Sequence, residues 1–166
     1  MKVAESYVQR LLRSDDPRRA IADLAAIWSA RPGRSESQAC FGLAEAEFNV
    51  HLYLAYTGEV INGGHAQFFS NRFGGYTEET LAALRAIGLH ALSDILAEAS
   101  CVFRGLSALR DEDYREAVLE NLNTFQLRTL QKADFAFGNS FSAVDEACLV
   151  YLRQHNAEIL QPERAA

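Results

Sequence analysis

Apolar residues recur at three- and four-residue intervals through most of this chain, the spacing that gathers them on one face of an α-helix. From Leu89 onward, Leu92, Ile95, Leu96, Ala99 and Phe103 form one such stripe. Tyr114, Val118, Leu122 and Phe125 form a second, in a segment that Asp111 opens. Val144, Cys148, Tyr151 and Ile159 form a third, introduced by Ser142 and Asp145 as a cap. The segment from Phe41 to Tyr56 differs: Phe41, Phe48, Val50, Leu52, Tyr53, Leu54 and Tyr56 cover almost every direction around a helix axis. A helix apolar on all sides belongs in the interior. No stretch alternates with the period of two that a half-buried strand requires.

Local punctuation divides these stripes into helices. Asp16-Pro17 reads as an N-cap followed by proline at the first helical position. Arg31-Pro32-Gly33 ends the helix that contains Trp28, and Ser35 with Gln38 has the spacing of a capping box. The central helix runs into Thr57-Gly58-Glu59-Val60-Ile61-Asn62-Gly63-Gly64, where the glycines read as a helix end followed by a new helix. That next helix holds Ala66, Phe68 and Phe69 and stops at Gly74-Gly75. Thr77 is expected to cap a helix with Glu78 and Glu79 in its first turn, ending near Gly88. The pattern therefore predicts an all-α fold: a single compact bundle of seven or eight helices around a buried central helix. We expect one helical domain over residues 1–166, with residues 1–34 as an N-terminal helical extension.

Composition agrees with this class. The 166 residues are enough for one well-buried core, and 49% hydrophobic with 23% charged is the balance of a globular protein. Met1-Lys2-Val3-Ala4-Glu5 lacks the apolar core of a signal peptide, and no apolar run is long enough to span a bilayer. Cys40, Cys101 and Cys148 are odd in number and far apart, so reduced, buried thiols and a cytoplasmic location are expected. The net charge of −6 argues against direct contact with nucleic acid, which needs a basic surface. The charge is uneven. Residues 1–40 hold seven basic and five acidic residues, whereas residues 41–166 hold nine and seventeen.

Candidate chemistry is sparse. Glu47 with His51, and His90 with Asp94 and Glu98, are spaced by four and share helix faces. Helical di-iron sites use Glu-x-x-His, spaced by three, so neither group matches and no metal site is expected. Signatures of a serine nucleophile, a zinc protease and a phosphate-binding loop are absent, so we expect no catalytic residue and no cofactor. Gly63-Gly64 precedes a helix whose N-terminus suits an anion, but no Lys or Arg stands nearby to support one. The segment from Glu59 to Asn71 is the densest in polar groups. Either Glu59, Asn62, Gln67 and Asn71 converge on a ligand, or they hydrogen-bond the backbone freed by the glycine turn. The cost of leaving such groups unpaired favours the second reading.

This segment closely resembles the Glu-Val-x-Asn-Gly-Gly-x-x-Gln-Phe-Phe-x-Asn signature of the bacterial DNA-mimic protein family, carried here by Glu59, Asn62, Gly63, Gly64, Gln67, Phe68 and Asn71. The likeness continues through Leu81, Leu84, Arg85, Ile87 and Gly88. It resumes at Asp134-Phe135 and around Tyr151-Leu152, covering about residues 40–160. The resemblance implies an all-helical fold and an acidic surface that imitates duplex DNA and occupies a DNA-binding protein. The signature residues themselves read as structural, so mimicry would reside in surface carboxylates. The best candidates are Asp111, Glu112, Asp113, Glu116 and Glu120, interrupted by Arg110 and Arg115. Carboxylates four apart are separated by about 6 Å along a helix axis, comparable with successive phosphates of one DNA strand, which rise by about 3.4 Å and wind around theirs.

The expectation is thus a protein-interaction module with an acidic face that sequesters a DNA-binding regulator. Its partner is a basic protein and not nucleic acid or membrane, with self-association left open. Two rival readings are an immunity- or antitoxin-like inhibitor and an enzyme with a pocket around Glu59, His65 and Gln67. An open polar cavity there would favour the enzyme, and a filled helix junction would count against it.

Overall fold

The computed structural model describes residues 2–29, 43–140 and 144–159. Among them every regular element is helical: α1 (Lys2–Leu12), α2 (Pro17–Ser29), α3 (Glu45–Ser70), α4 (Thr77–Ile87), α5 (His90–Ser100), α6 (Glu112–Glu120), α7 (Thr124–Asn139), α8 (Val144–Gln154) and α9 (Asn156–Ile159), with 3-10 turns at Arg72–Tyr76 and Leu106–Arg110. The all-α expectation holds. The helix end at Arg31-Pro32-Gly33, the Ser35–Gln38 box, Phe41, Cys40 and the Ser142 cap lie outside the described residues.

The chain forms two units, residues 1–51 with 143–166 and residues 52–142. In the first, α2 packs against α8 and α1. Ile21, Leu24 and Trp28 of α2 are buried, as are Ala46 and Val50 from the start of α3 and Cys148, Leu149 and Leu152 of α8. Asp16 accepts from the amide of Arg19 at 3.1 Å, the cap expected before Pro17. Asn49 donates to the Tyr151 hydroxyl at 2.8 Å, pairing two polar groups inside the unit. Arg153 reaches the carbonyls of Leu12 and Ser14, so the turn after α1 is tied to α8.

The second unit is built on the remainder of α3, with α4 against α5 and α5 against α7. Leu92, Ile95, Leu96 and Ala99 are buried as their stripe predicts, as is Phe103 just beyond α5. Tyr56, Phe68, Phe69 and Phe103 form a run of edge-to-face ring contacts with centroids 4.8–5.3 Å apart, the arrangement aromatic quadrupoles favour. Gly88, with φ +90°, ends α4 in the left-handed conformation. Its N–H bonds the carbonyl of Arg85, and that of Leu89 bonds the carbonyl of Leu84.

The helix end and new start expected at the glycines fall at Gly63–Gly64: α3 runs through Gly58 to Asn62, breaks there and resumes to Ser70. Several local expectations are corrected. Thr77 is not a cap but the first residue of α4, and its hydroxyl donates back to the carbonyl of Gly74 at 2.7 Å. Cys148 is a buried thiol, but Cys101 is exposed. Phe125 does not complete the apolar face of α6. It lies in α7 and is 78% exposed. The buried residue of α6 is Arg115, at 2% exposure.

Candidate functional site

The interruption of α3 organises the signature segment. Gly64 has φ +74°, a conformation that side chains with a Cβ rarely adopt, and an added Cβ would lie 2.7 Å from a carboxylate oxygen of Asp134. The helix that restarts after Gly64 presents its first amide to that same carboxylate: His65 N–H donates to Asp134 Oδ1 at 2.8 Å. A helix start suits an anion, and no outside anion is needed at this structural turn. The anion is the chain's own Asp134, delivered from α7.

The imidazole of His65 extends the network. Nδ1 lies 2.6 Å from Asp134 Oδ1, and Nε2 lies 2.9 Å from the Tyr56 hydroxyl. A carboxylate only accepts, so Nδ1 carries the proton, and Nε2 accepts from Tyr56. His65 and Tyr56 have no exposed surface, while the Asp134 side chain is 40% exposed. Burial lowers the pKa of His65, outweighing the stabilising carboxylate beside it, so the ring is neutral. Burial also pushes the Tyr56 hydroxyl far above its ordinary range, with the Asp134 charge adding to the effect. Tyr–His–Asp connectivity resembles a relay for activating a nucleophile, but here the hydroxyl is made harder to ionise and is sealed among aromatic rings.

On the other side of the break, the carboxylate oxygen Glu59 Oε2 accepts from Gln67 Nε2 at 2.7 Å and from Asn71 Nδ2 at 2.6 Å. One acid thus spans the interruption and holds two amides a helical turn apart. Phe68 is completely buried, whereas Asn62 is exposed. The structure therefore joins Glu59, Gln67 and Asn71, places His65 in a separate network with Asp134 and Tyr56, and gives Asn62 no part in either.

Asp111, Glu112, Asp113, Glu116 and Glu120 are all exposed. Asp111 caps α6, accepting from the amide of Tyr114 at 3.2 Å. The two arginines expected to interrupt these acids behave differently. Arg110 pairs with Glu79. Arg115 turns inward, donating to the carbonyls of Phe69 at 2.7 Å, Leu109 at 2.6 Å and Asn71 at 3.3 Å. The solvent face of α6 consequently shows carboxylates and no cation of its own. Neither Glu47 with His51 nor His90 with Asp94 and Glu98 comes together as a metal site: among the described residues no cluster of three His, Cys, Asp or Glu could hold a metal ion. No described helix is long and apolar enough to cross a membrane.

Sequence reasoning found Glu59, Gln67 and Asn71 through the signature. It missed the inward course of Arg115, and met Asp134 only as a fragment of the family likeness. The family model described as DMP19-like protein matches residues 42–155, most of the chain and both networks. No curated protein and no solved structure matches.

Proposed function

We propose, from the premise that the chain belongs to the DMP19-like protein family, that it is a DNA-mimic interaction module whose α6 face engages the basic surface of a DNA-binding regulator. The observation that carries this reading is the burial of Arg115. Acidic helix faces are commonly just solvated. A run that turns its internal arginine into the core, leaving Asp111, Glu112, Asp113, Glu116 and Glu120 outside, presents a more uniformly negative surface than its sequence suggests.

The physics of such a face sets what it can do. Single exposed ion pairs contribute little, so the carboxylates act together. Their summed field steers a basic partner and speeds encounter. Glu112, Glu116 and Glu120 lie on successive turns at about 6 Å intervals, so they offer a row of negative charge to groups that otherwise grip phosphates. The signature residues serve this face indirectly: Glu59, Gln67 and Asn71 hold together the part of α3 that runs up to the Phe69 and Asn71 carbonyls, which Arg115 grasps. A regulator works where the DNA is, and a cytoplasmic location accompanies the proposal.

The test begins with a pull-down from the native host to name the partner, followed by affinity measurement for Glu112→Lys/Glu116→Lys/Glu120→Lys at low and moderate salt. The parent should bind with steep salt dependence and the variant should not bind. If the variant binds as tightly as the parent at both salt levels, the acidic face is not the interface. Weak salt dependence in the parent would instead favour the inhibitor reading, with an apolar hot spot.

A further inference from the structure

A cationic cavity lies beside the acidic helix. It measures about 230 Å³ and is lined by Arg72, Gly75, Tyr76, Arg110, Glu112 and Arg115. Three guanidinium groups around one small space outnumber the one carboxylate in its lining, Glu112, in a chain of net charge −6. Arg110 is offset by Glu79. Arg115 is not: its three bonds go to neutral carbonyls, and no carboxylate of a described residue pairs with it. A buried cation without a counter-charge is costly. A guanidinium has five N–H donors, so two of those on Arg115 have no acceptor among the described residues. Arg72 and Arg110 also stand over the Tyr76 ring, their guanidinium carbons 6.0 and 5.6 Å from its centroid. These contacts hold both charges at the cavity wall.

We propose that this cavity is a binding site for a small tetrahedral oxyanion of the phosphate type, either free or as the terminal group of a small molecule. Guanidinium forks match phosphate oxygens in geometry and charge. The volume is below the roughly 300–1,000 Å³ of cavities that take drug-sized ligands, which suits a compact ion. The anion would supply the counter-charge that Arg115 lacks and would fasten the start of α6 to the 3-10 turn Arg72–Tyr76. Glu112 belongs to both the cavity wall and the acidic face, but the site does not depend on the acidic-face reading.

Calorimetric titration of the full chain with inorganic phosphate and with pyrophosphate, against sodium chloride at matched ionic strength, tests the site. Saturable binding of one anion per chain is expected. Arg72→Gln/Arg110→Gln should weaken it at least about tenfold, the equivalent of roughly one charge-assisted bond, with an unchanged circular dichroism spectrum. Should the double variant unfold for want of the Glu79 partner, Arg72→Gln alone keeps that pair and should still weaken binding. Arg128→Gln, an exposed charge on α7, should leave it unaltered. The proposal is overturned if no phosphate species binds above the chloride control. Equal binding by the arginine variants and Arg128→Gln, or binding abolished by roughly 150 mM chloride as for a diffuse surface charge, would overturn it as well.

Discussion

His65 shows how a single residue's surroundings set the stability of the junction. Its ring is completely buried, and burial lowers its pKa below the ordinary value near 6.5. In the unfolded chain the ring takes up a proton as pH falls through that value, while the folded chain resists. The unfolded state therefore binds more protons, and stability falls with falling pH, from the unfolded pKa down toward the folded one. We expect the melting temperature of the parent to drop between about pH 7 and pH 5.5 more steeply than that of His65→Gln. Parallel slopes in the two proteins would show that His65 is not held neutral. Gly63 and Gly64 make a second pair of residue-scale expectations. Gly64→Ala meets both the left-handed backbone and the Asp134 carboxylate, and should destabilise by on the order of 1–3 kcal/mol in urea denaturation. Gly63 has φ −161°, which any residue adopts, and there the obstacle is Gln67, whose Oε1 lies 2.1 Å from an added Cβ. Gly63→Ala should thus cost less in a Gln67→Ala background than in the parent, a coupling that a double-mutant cycle measures.

Helices are held here by two different means. α5 and α8 are anchored by the apolar stripes that the three- and four-residue periodicity marks, and α4 by Leu81, Leu84 and Ile87. α6 buries no large apolar side chain; it is anchored by Arg115 through three carbonyls at the end of α3 and in the following turns. Hydrophobic periodicity cannot register such an anchor: it puts Phe125 on α6 and leaves Arg115 as surface charge. Arg115→Ala strips three carbonyls of their donor and should cost about 3 kcal/mol or more. Arg115→Lys should recover only part of that, because a point charge cannot span all three acceptors. Equal urea midpoints for the lysine variant and the parent would show that charge alone suffices. The α3 interruption was legible for a local reason: Glu59, Gln67 and Asn71 are within twelve positions of one another. Asp134, 69 positions from His65, was not, since nothing in a single sequence links residues that meet only after folding.

At the scale of the whole molecule, net charge and the placing of charge make separable demands. The acidic surplus of residues 41–166 was visible from the sequence, and five of its acids are exposed between Asp111 and Glu120. What composition could not give was which arginines remain at the surface to dilute them, because burial of a cation is a tertiary outcome. Glu112→Lys/Glu116→Lys/Glu120→Lys adds two charges per position and brings the formal net charge from −6 to zero. Loss of binding in that variant could then reflect the weakened field of the whole chain, since net charge alone alters encounter rates and solubility. Asp94, Glu146 and Glu158 are equally exposed acids on α5, α8 and α9, and reversing them to lysine produces the same neutral total. If the row of carboxylates on α6 is the recognition surface, this second variant should retain the parent's affinity within a few-fold. Its association rate should slow, and only the α6 variant should lose the complex through faster dissociation. Stopped-flow association and dissociation rates for the three proteins at one ionic strength separate the two effects. Identical loss of binding in both variants would mean that the partner senses total charge, and that α6 carries no row specific to it.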